Sequence, residues 1–114
     1  MGDCIFCKIA GKEIPASLVY EDDQLVAFND VNPQAPAHML IIPREHIPSL
    51  AHLDSGHDEL MGKALRLAAE LAKGKGLGES GYRVVANCGP DAGQSVGHLH
   101  FHVLGGRVMG WPPG

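Results

Sequence analysis

The chain has no apolar run that approaches the roughly 20 residues of a membrane span. Nor does its start, Met1-Gly2-Asp3-Cys4, lead from a basic segment into an apolar one. Neither a membrane anchor nor a secretory leader is expected, and a soluble cytoplasmic protein is the default. Runs of Lys or Arg are also missing, and the formal charge is −4. This argues against a phosphate footprint for nucleic acid, although a few backbone N–H groups can hold one small anion in an acidic protein. Cysteine is scarce, with only Cys4, Cys7 and Cys88, and an odd count in an unsecreted chain does not make a disulfide framework. There are no internal repeats and no linker. What is present is 114 residues of 45% hydrophobic composition, which fits one domain over 1–114. At this size roughly two-thirds of the unfolded surface can be buried without disulfide staples.

Asp3 is placed to N-cap a short helix through Cys4–Ala10, with Gly11 as its stop and Pro15 beyond. Ser17–Tyr20 and Leu25–Asn29 read as strands around the turn Glu21-Asp22-Asp23-Gln24. Val31–Pro36 is a loop, because each of its prolines lacks a donor and restricts its predecessor. His38–Ile42 suits a central strand closed by Pro43. The longest helix is predicted from an Asp54 or Ser55 cap to Lys73, with Leu60, Ala64, Leu67, Ala68 and Leu71 forming one apolar stripe. Tyr82–Asn87 and Leu99–Leu104 complete the strands. The class is α+β with a mainly antiparallel five-stranded sheet, since most connections are too short for a crossover.

The chemistry concentrates in His98-Leu99-His100-Phe101-His102. Residues two apart on a strand share a face, so an extended chain here lines up three imidazoles and buries Leu99, Phe101 and Val103 opposite. Imidazole is a nucleophile and exchanges protons near neutral pH. A second reading makes the three histidines ordinary polar residues on the outer face of an edge strand. The preceding loop, Cys88–Val96, favours the reactive reading. Gly93 lets backbone donors approach a ligand closely, and Gln94 and Ser95 add side-chain donors. Donors that neutralise phosphoryl oxygens beside a ring nitrogen suit attack at phosphorus through a covalent intermediate. The Cys4-x-x-Cys7 spacing is that of half a metal site or of a redox pair. The redox reading lacks a βαβ context, and a third possibility is that both are small buried hydrophobes.

Residues 98–104 match His-φ-His-φ-His-φ-φ throughout, with φ apolar, and here the chain resembles the histidine triad family. Phe28-Asn-Asp30, Pro33-Gln-Ala-Pro36, Ile42-Pro43 with His46-Ile47, Gly93-Gln-Ser95, and Gly105-Gly-Arg107 through Trp111-Pro-Pro-Gly114 resemble its Hint branch of purine-nucleotide-binding phosphoramidases. That resemblance implies His100 as nucleophile, His102 on the phosphate, and the His98 carbonyl orienting the nucleophilic ring. It implies Asn87, Gly93, Gln94, Ser95 and Val96 around the phosphate, with Ser95 also near the leaving group. Asp30 is expected on the ribose hydroxyls, and Ile5, Phe6, Ile9, Phe28, Val31 and Leu40 around a purine of an AMP or GMP derivative.

The resemblance also supplies His46 and His98 as partners for Cys4 and Cys7 in a structural Cys2His2 zinc site, with no metal needed for the chemistry. In relatives without the cysteines the residue matching His46 has a proton-relay role. A zinc-bound His46 cannot relay protons freely, so it is left out of the catalytic set. A homodimer sharing one continuous sheet is implied as well. Gly97 and Gly110 depart from the aromatic and histidine that many or some relatives carry there, which leaves the leaving group open. Two alternatives stand beside the phosphoramidase: a dinucleoside polyphosphate hydrolase or nucleotidyltransferase, and a zinc-stabilised nucleotide- or partner-binding module without turnover. Cys88, His38, His52 and His57 are expected to be spectators.

Overall fold

A computed structural model describes residues 3–114; the Met1-Gly2 part of the leader expectation lies outside them. Helix α1 (Ile5–Ala10) is followed by strands β1 (Leu18–Glu21), β2 (Leu25–Asn29) and β3 (Ala37–Pro43), then helix α2 (Asp58–Gly74), β4 (Tyr82–Val85) and β5 (Phe101–Gly105). The sheet order is β1-β2-β3-β5-β4, and every neighbouring pair is antiparallel. Among the described residues no helix is long and apolar enough to cross a membrane.

The two faces of the sheet carry different cargo. Leu25, Ala27, Met39, Ile41, Phe101 and Val103 pack under Ala64, Leu67 and Ala68 of the expected α2 stripe and under Ala72, while Leu60 and Leu71 of that stripe are only partly buried. The alternate residues Val26, Phe28, Leu40 and Ile42 meet Phe6, Ile9 and Ala10 of α1. Phe28, Leu40, His102 and Val85 stand in one row across the strands, because they are successive register partners. The six residues of α1 cannot cover that face, so the row continues past the helix into the histidines.

So short a helix is unstable alone. It is held by burial of Phe6, Ile9 and Ala10 and by Arg44, whose Nη1 donates to the Ala10 carbonyl at 2.7 Å. Arg44 Nε also donates to Asp22 O at 2.7 Å, tying the helix end to the β1–β2 turn.

Several boundaries differ from the sequence reading. Cys4, not Asp3, is the N-cap of α1, and its sulfur accepts from Cys7 N–H at 3.3 Å. Asp54 caps a 3-10 turn, Ser55–His57, that precedes α2. His57 takes part in that cap by accepting from Asp54 N–H at 3.1 Å, so it is not merely solvated. Strand β4 ends at Val85 rather than Asn87, and β5 begins at Phe101 rather than Leu99. The regular strand therefore holds only one of the three histidines, His102.

Beyond β5, Gly106 has φ +93°, and a Cβ there would stand 2.9 Å from Pro36 Cβ. Both the backbone conformation and the close approach to the Pro33–Pro36 loop require glycine. Gly106→Ala is expected to lower stability by about 1–3 kcal/mol, read as a lower urea midpoint at unchanged slope. An unchanged midpoint would show that the loop yields freely.

Candidate active site

Burial of the histidines removes the reading of a solvated outer face. His98 is 0% and His100 4% exposed. The His100 ring sits 5.0 Å from the His102 ring and 5.1 Å from Phe6, edge-on to both. Its Nδ1 lies 2.7 Å from the His98 carbonyl. A carbonyl can only accept, so Nδ1 carries a hydrogen, and in the neutral ring Nε2 keeps the lone pair. No buried side-chain N or O among the described residues lacks a partner. Since Nε2 of His100 has no partner among the described residues, it is open to the surface although its ring is buried.

A second chain of bonds fixes the opposite tautomer in His102. The Gln34 backbone N–H donates to His38 Nδ1 at 3.0 Å, which leaves the proton of a neutral His38 on Nε2. That Nε2 lies 2.9 Å from His102 Nδ1 and 3.4 Å from Asp30 Oδ2. His102 Nδ1 thus accepts, and its Nε2–H is the free donor. The expectation that His38 is only a satisfied core histidine is corrected on this point: it is buried in the central strand, but it sets its neighbour's tautomer. The His38–Leu104 register in β3 and β5 is what places it there, a long-range pairing with no local sequence signal.

Asp30, His38 and His102 also lie close enough together to suggest metal ligands. The tautomer chain argues otherwise, because His38 Nε2 holds the proton that a metal would have to displace.

The loop is stapled by Gln94. Its Oε1 accepts from Gly89 N–H at 3.0 Å, and its Nε2 donates to Pro48 O at 2.8 Å and Val96 O at 3.0 Å. With its amide committed, Gln94 shapes the loop rather than offering a side-chain donor to a ligand. Gly93 and Ser95 are exposed, and Asn87 and Val96 are partly buried. Among the expected purine neighbours, Phe6, Ile9, Phe28 and Leu40 belong to the buried α1 cluster, whereas Ile5 is 48% and Val31 99% exposed. Asp30 has one oxygen in a turn, accepting from Asn32 N–H at 2.8 Å. Cys88 is exposed outside both clusters, and a hydrogen bond from Ser49 lowers its thiol pKa.

The other cluster gathers Cys4, Cys7, His46 and His98, with one ligand atom from each inside 4.8 Å of the rest. His98 Nδ1 lies 3.4 Å from Cys4 Sγ, 3.6 Å from Cys7 Sγ and 3.2 Å from His46 Nδ1, and Cys7 Sγ is 3.2 Å from His46 Nδ1. A tetrahedron with Zn–N of about 2.0 Å and Zn–S of about 2.3 Å has edges of about 3.3–3.8 Å, and these separations fall close to it. His98 Nε2–H donates to Pro43 O at 2.8 Å, so its Nδ1 lone pair faces inward, the outer-shell arrangement of a metal-bound imidazole. Burial and the adjacent Cys4 push the Cys7 thiol up, a charge conflict that a divalent cation resolves. The cluster fits a structural zinc with no open coordination position.

The model for the HIT domain family matches residues 11–109. A 14 kDa zinc-binding protein of Zea mays is 54% identical over 96% of this chain and 87% of its own length. The crystal structure of a HIT family hydrolase from Legionella pneumophila Philadelphia 1 superposes with a TM-score of 0.97 at 50% identity, covering 98% of this chain and 100% of that one. A histidine triad nucleotide-binding protein from Candida albicans superposes with a TM-score of 0.83 at 36% identity, covering 96% and 83%. The fold and the paired histidines define a protein of hydrolase-like architecture. The chain belongs to the HIT domain family.

Burial, with the neighbouring His100 and His38, lowers the His102 pKa to about 4, and burial lowers that of His38 as well. Between about pH 6.5 and 4 the unfolded chain therefore takes up a proton at position 102 that the folded chain refuses. Stability rises with pH in that window and falls as acid is added. Urea midpoints should drop from pH 7 to pH 4, and less steeply in His102→Asn, which retains the Cys2His2 cluster. Equal slopes would show that the imidazole pair is not the source.

Proposed function

We propose that this protein is a purine nucleoside phosphoramidase of the Hint branch, hydrolysing the P–N bond of nucleoside 5′-phosphoramidates and acyl-nucleotide analogues. The observation that carries the reading is the His100 Nδ1–His98 carbonyl hydrogen bond, which leaves a surface-open Nε2 lone pair beside a donor loop. In this reading His100 Nε2 forms a bond to phosphorus as the P–N bond breaks, and the amine departs with a proton drawn from solvent water. Ser95 stands at the leaving group, and water then hydrolyses nucleotidyl-His100 to release the nucleoside monophosphate. His102, with its Nε2–H outward, donates to a phosphoryl oxygen. This charge-developing position is where a fixed donor contributes most.

Asn87, Gly93, Ser95 and Val96 are assigned to the phosphate, with Gln94 keeping their loop in shape. Asp30 is assigned to the ribose through the oxygen not used in its turn. Phe6, Ile9, Phe28 and Leu40 form the floor of the base site, and Ile5 and Val31 its rim. An apolar clamp accepts either purine, so discrimination between adenine and guanine is weak. A name such as nucleotide-binding protein for the Candida albicans relative supports the ligand class, and that of the Zea mays relative supports zinc at Cys4, Cys7, His46 and His98. The zinc supplies cross-linking rather than Lewis-acid chemistry, because its four protein ligands close the site. A cytoplasmic location and a single domain over 1–114 belong to the same proposal.

A homodimer is part of this reading too. Strand β4 is an open sheet edge, and Val108 and Trp111 stand 95% and 83% exposed beyond β5. Isologous pairing covers both. Light scattering should give twice the chain mass, and a monomer mass would remove this element.

Turnover of adenosine phosphoramidate quenched in alkali should leave a protein heavier by one nucleotide. His100→Ala should lose that adduct and at least about 10³-fold in kcat/KM, with its far-UV dichroism intact. Normal turnover by the variant would sink the mechanism. Faster turnover of diadenosine polyphosphates would reassign the substrate, and purine monophosphate binding without any turnover would leave a binding module.

A further inference from the structure

The segment that carries the proposed nucleophile is not held by the sheet. Ladder pairing of β5 starts with Phe101 opposite Ile41, so His98, Leu99 and His100 precede the first paired residue. One peptide plane in that segment decides the geometry, because the His98 carbonyl on one side of it accepts from His100 Nδ1 at 2.7 Å. On the other side, Leu99 N–H donates to the Ile47 carbonyl at 2.6 Å. The ring of His98 is fixed at both nitrogens, by Pro43 O at 2.8 Å and by the cysteine-histidine cluster. Ile47 adjoins His46, another member of that cluster, in a stretch with no helix or strand of its own. Every handle on the peptide therefore leads back to the end of β3 or to the four clustered side chains.

We propose that the Cys4–Cys7–His46–His98 cluster, holding its cation, is the positioning device for His100, taking the place of the missing sheet pairing. A cation there joins residues 46 and 98 directly, and so locks the two chain segments whose carbonyls and N–H groups define the His98–Leu99 peptide. It also joins Cys4 and Cys7, which bracket Phe6, and the Phe6 ring meets His100 edge-on at 5.1 Å. A neutral imidazole has two tautomers of similar energy, and one buried hydrogen bond decides between them. Releasing the peptide lets the His100 proton move to Nε2 and removes the lone pair from the open side. Cys4, Cys7 and His46 are positioning residues in this account, since none needs to touch the substrate.

The kinetic half of the inference rests on the phosphoramidase reading, but the structural half does not. The test compares protein loaded with Co2+, whose thiolate charge-transfer band reports occupancy, with Cys7→Ser and with Cys7→His, which keeps four ligands. Ring 15N–1H spectra at fixed neutral pH report which nitrogen of His100 bears the hydrogen. The loaded wild type and Cys7→His should show the charge-transfer band and a single Nδ1–H form of His100. Cys7→Ser should lose the band and show mixed tautomers, with far-UV dichroism unchanged. Adduct formation should slow about tenfold or more in Cys7→Ser, while affinity for AMP changes less than about threefold. A single Nδ1–H form and normal adduct rate in metal-free Cys7→Ser would overturn the proposal. Loss of far-UV dichroism along with activity would also overturn it, by making the ion a fold stabiliser only. If the loaded wild type forms no adduct, the enzymatic reading fails, and the ring spectra alone still decide the positioning claim.

Discussion

The site depends on one buried hydrogen bond, from His100 Nδ1 to the carbonyl of His98. Neutral imidazole offers two tautomers, and only one leaves a lone pair on the open side of this ring. A bond of about 1 kcal/mol shifts such an equilibrium by roughly fivefold, and burial raises its weight because breaking it strands a polar group away from water. A second chain, from Gln34 N–H through His38, imposes the opposite choice on His102. Two histidines on one face thereby present complementary nitrogens, a lone pair and an N–H. Burial supports this by holding His102 neutral at physiological pH.

The fold provides that burial unevenly. Helix α2 seals one face of the sheet, whereas α1 is six residues long and covers part of the other. The row Phe28, Leu40, His102, Val85 passes from under α1 to the uncovered part, so the histidines lie where apolar packing gives way to solvent. A longer first helix would extend over the row toward His102. A helix this short in turn needs tethers, which explains why Arg44 and, through the helix's own cysteines, His46 and His98 converge on it.

Apolar runs and period-3.6 spacing make most of the fold legible: β2 and β3 follow from short β-prone runs bounded by turn residues and proline, and the apolar stripe of α2 from its spacing. Period-two logic overextends β5. His98 and His100 alternate like strand residues, yet Leu99 N–H bonds to Ile47 instead of to a ladder partner, and alternation cannot register that. The first helix is legible, but Asp3 rather than Cys4 reads as its cap because sulfur is not among the usual capping groups. His38 was legible only as a core residue, since its meaning comes from the His38–Leu104 register across 66 positions of chain. Residue type offers Gln94 as a donor for a ligand, whereas its amide closes the loop through Gly89 and Val96 and reaches Pro48. His38 turns on a partner 64 positions away and Gln94 on the course of its own loop, and neither is visible in residue type or spacing.

Family resemblance supplied what patterns could not, the pairing of Cys4 and Cys7 with His46 and His98, and the geometry gives that pairing a reason. His98 does two jobs with different atoms. Its ring faces the cysteines and His46, and its carbonyl faces His100. His46 is turned into the same cluster through Nδ1, which is incompatible with a free proton relay. The outer histidine of the triad is therefore not a weaker copy of the middle one. Its ring belongs to the frame and its backbone to the candidate site, so the alternating motif joins the cysteine-histidine cluster to that site within three residues.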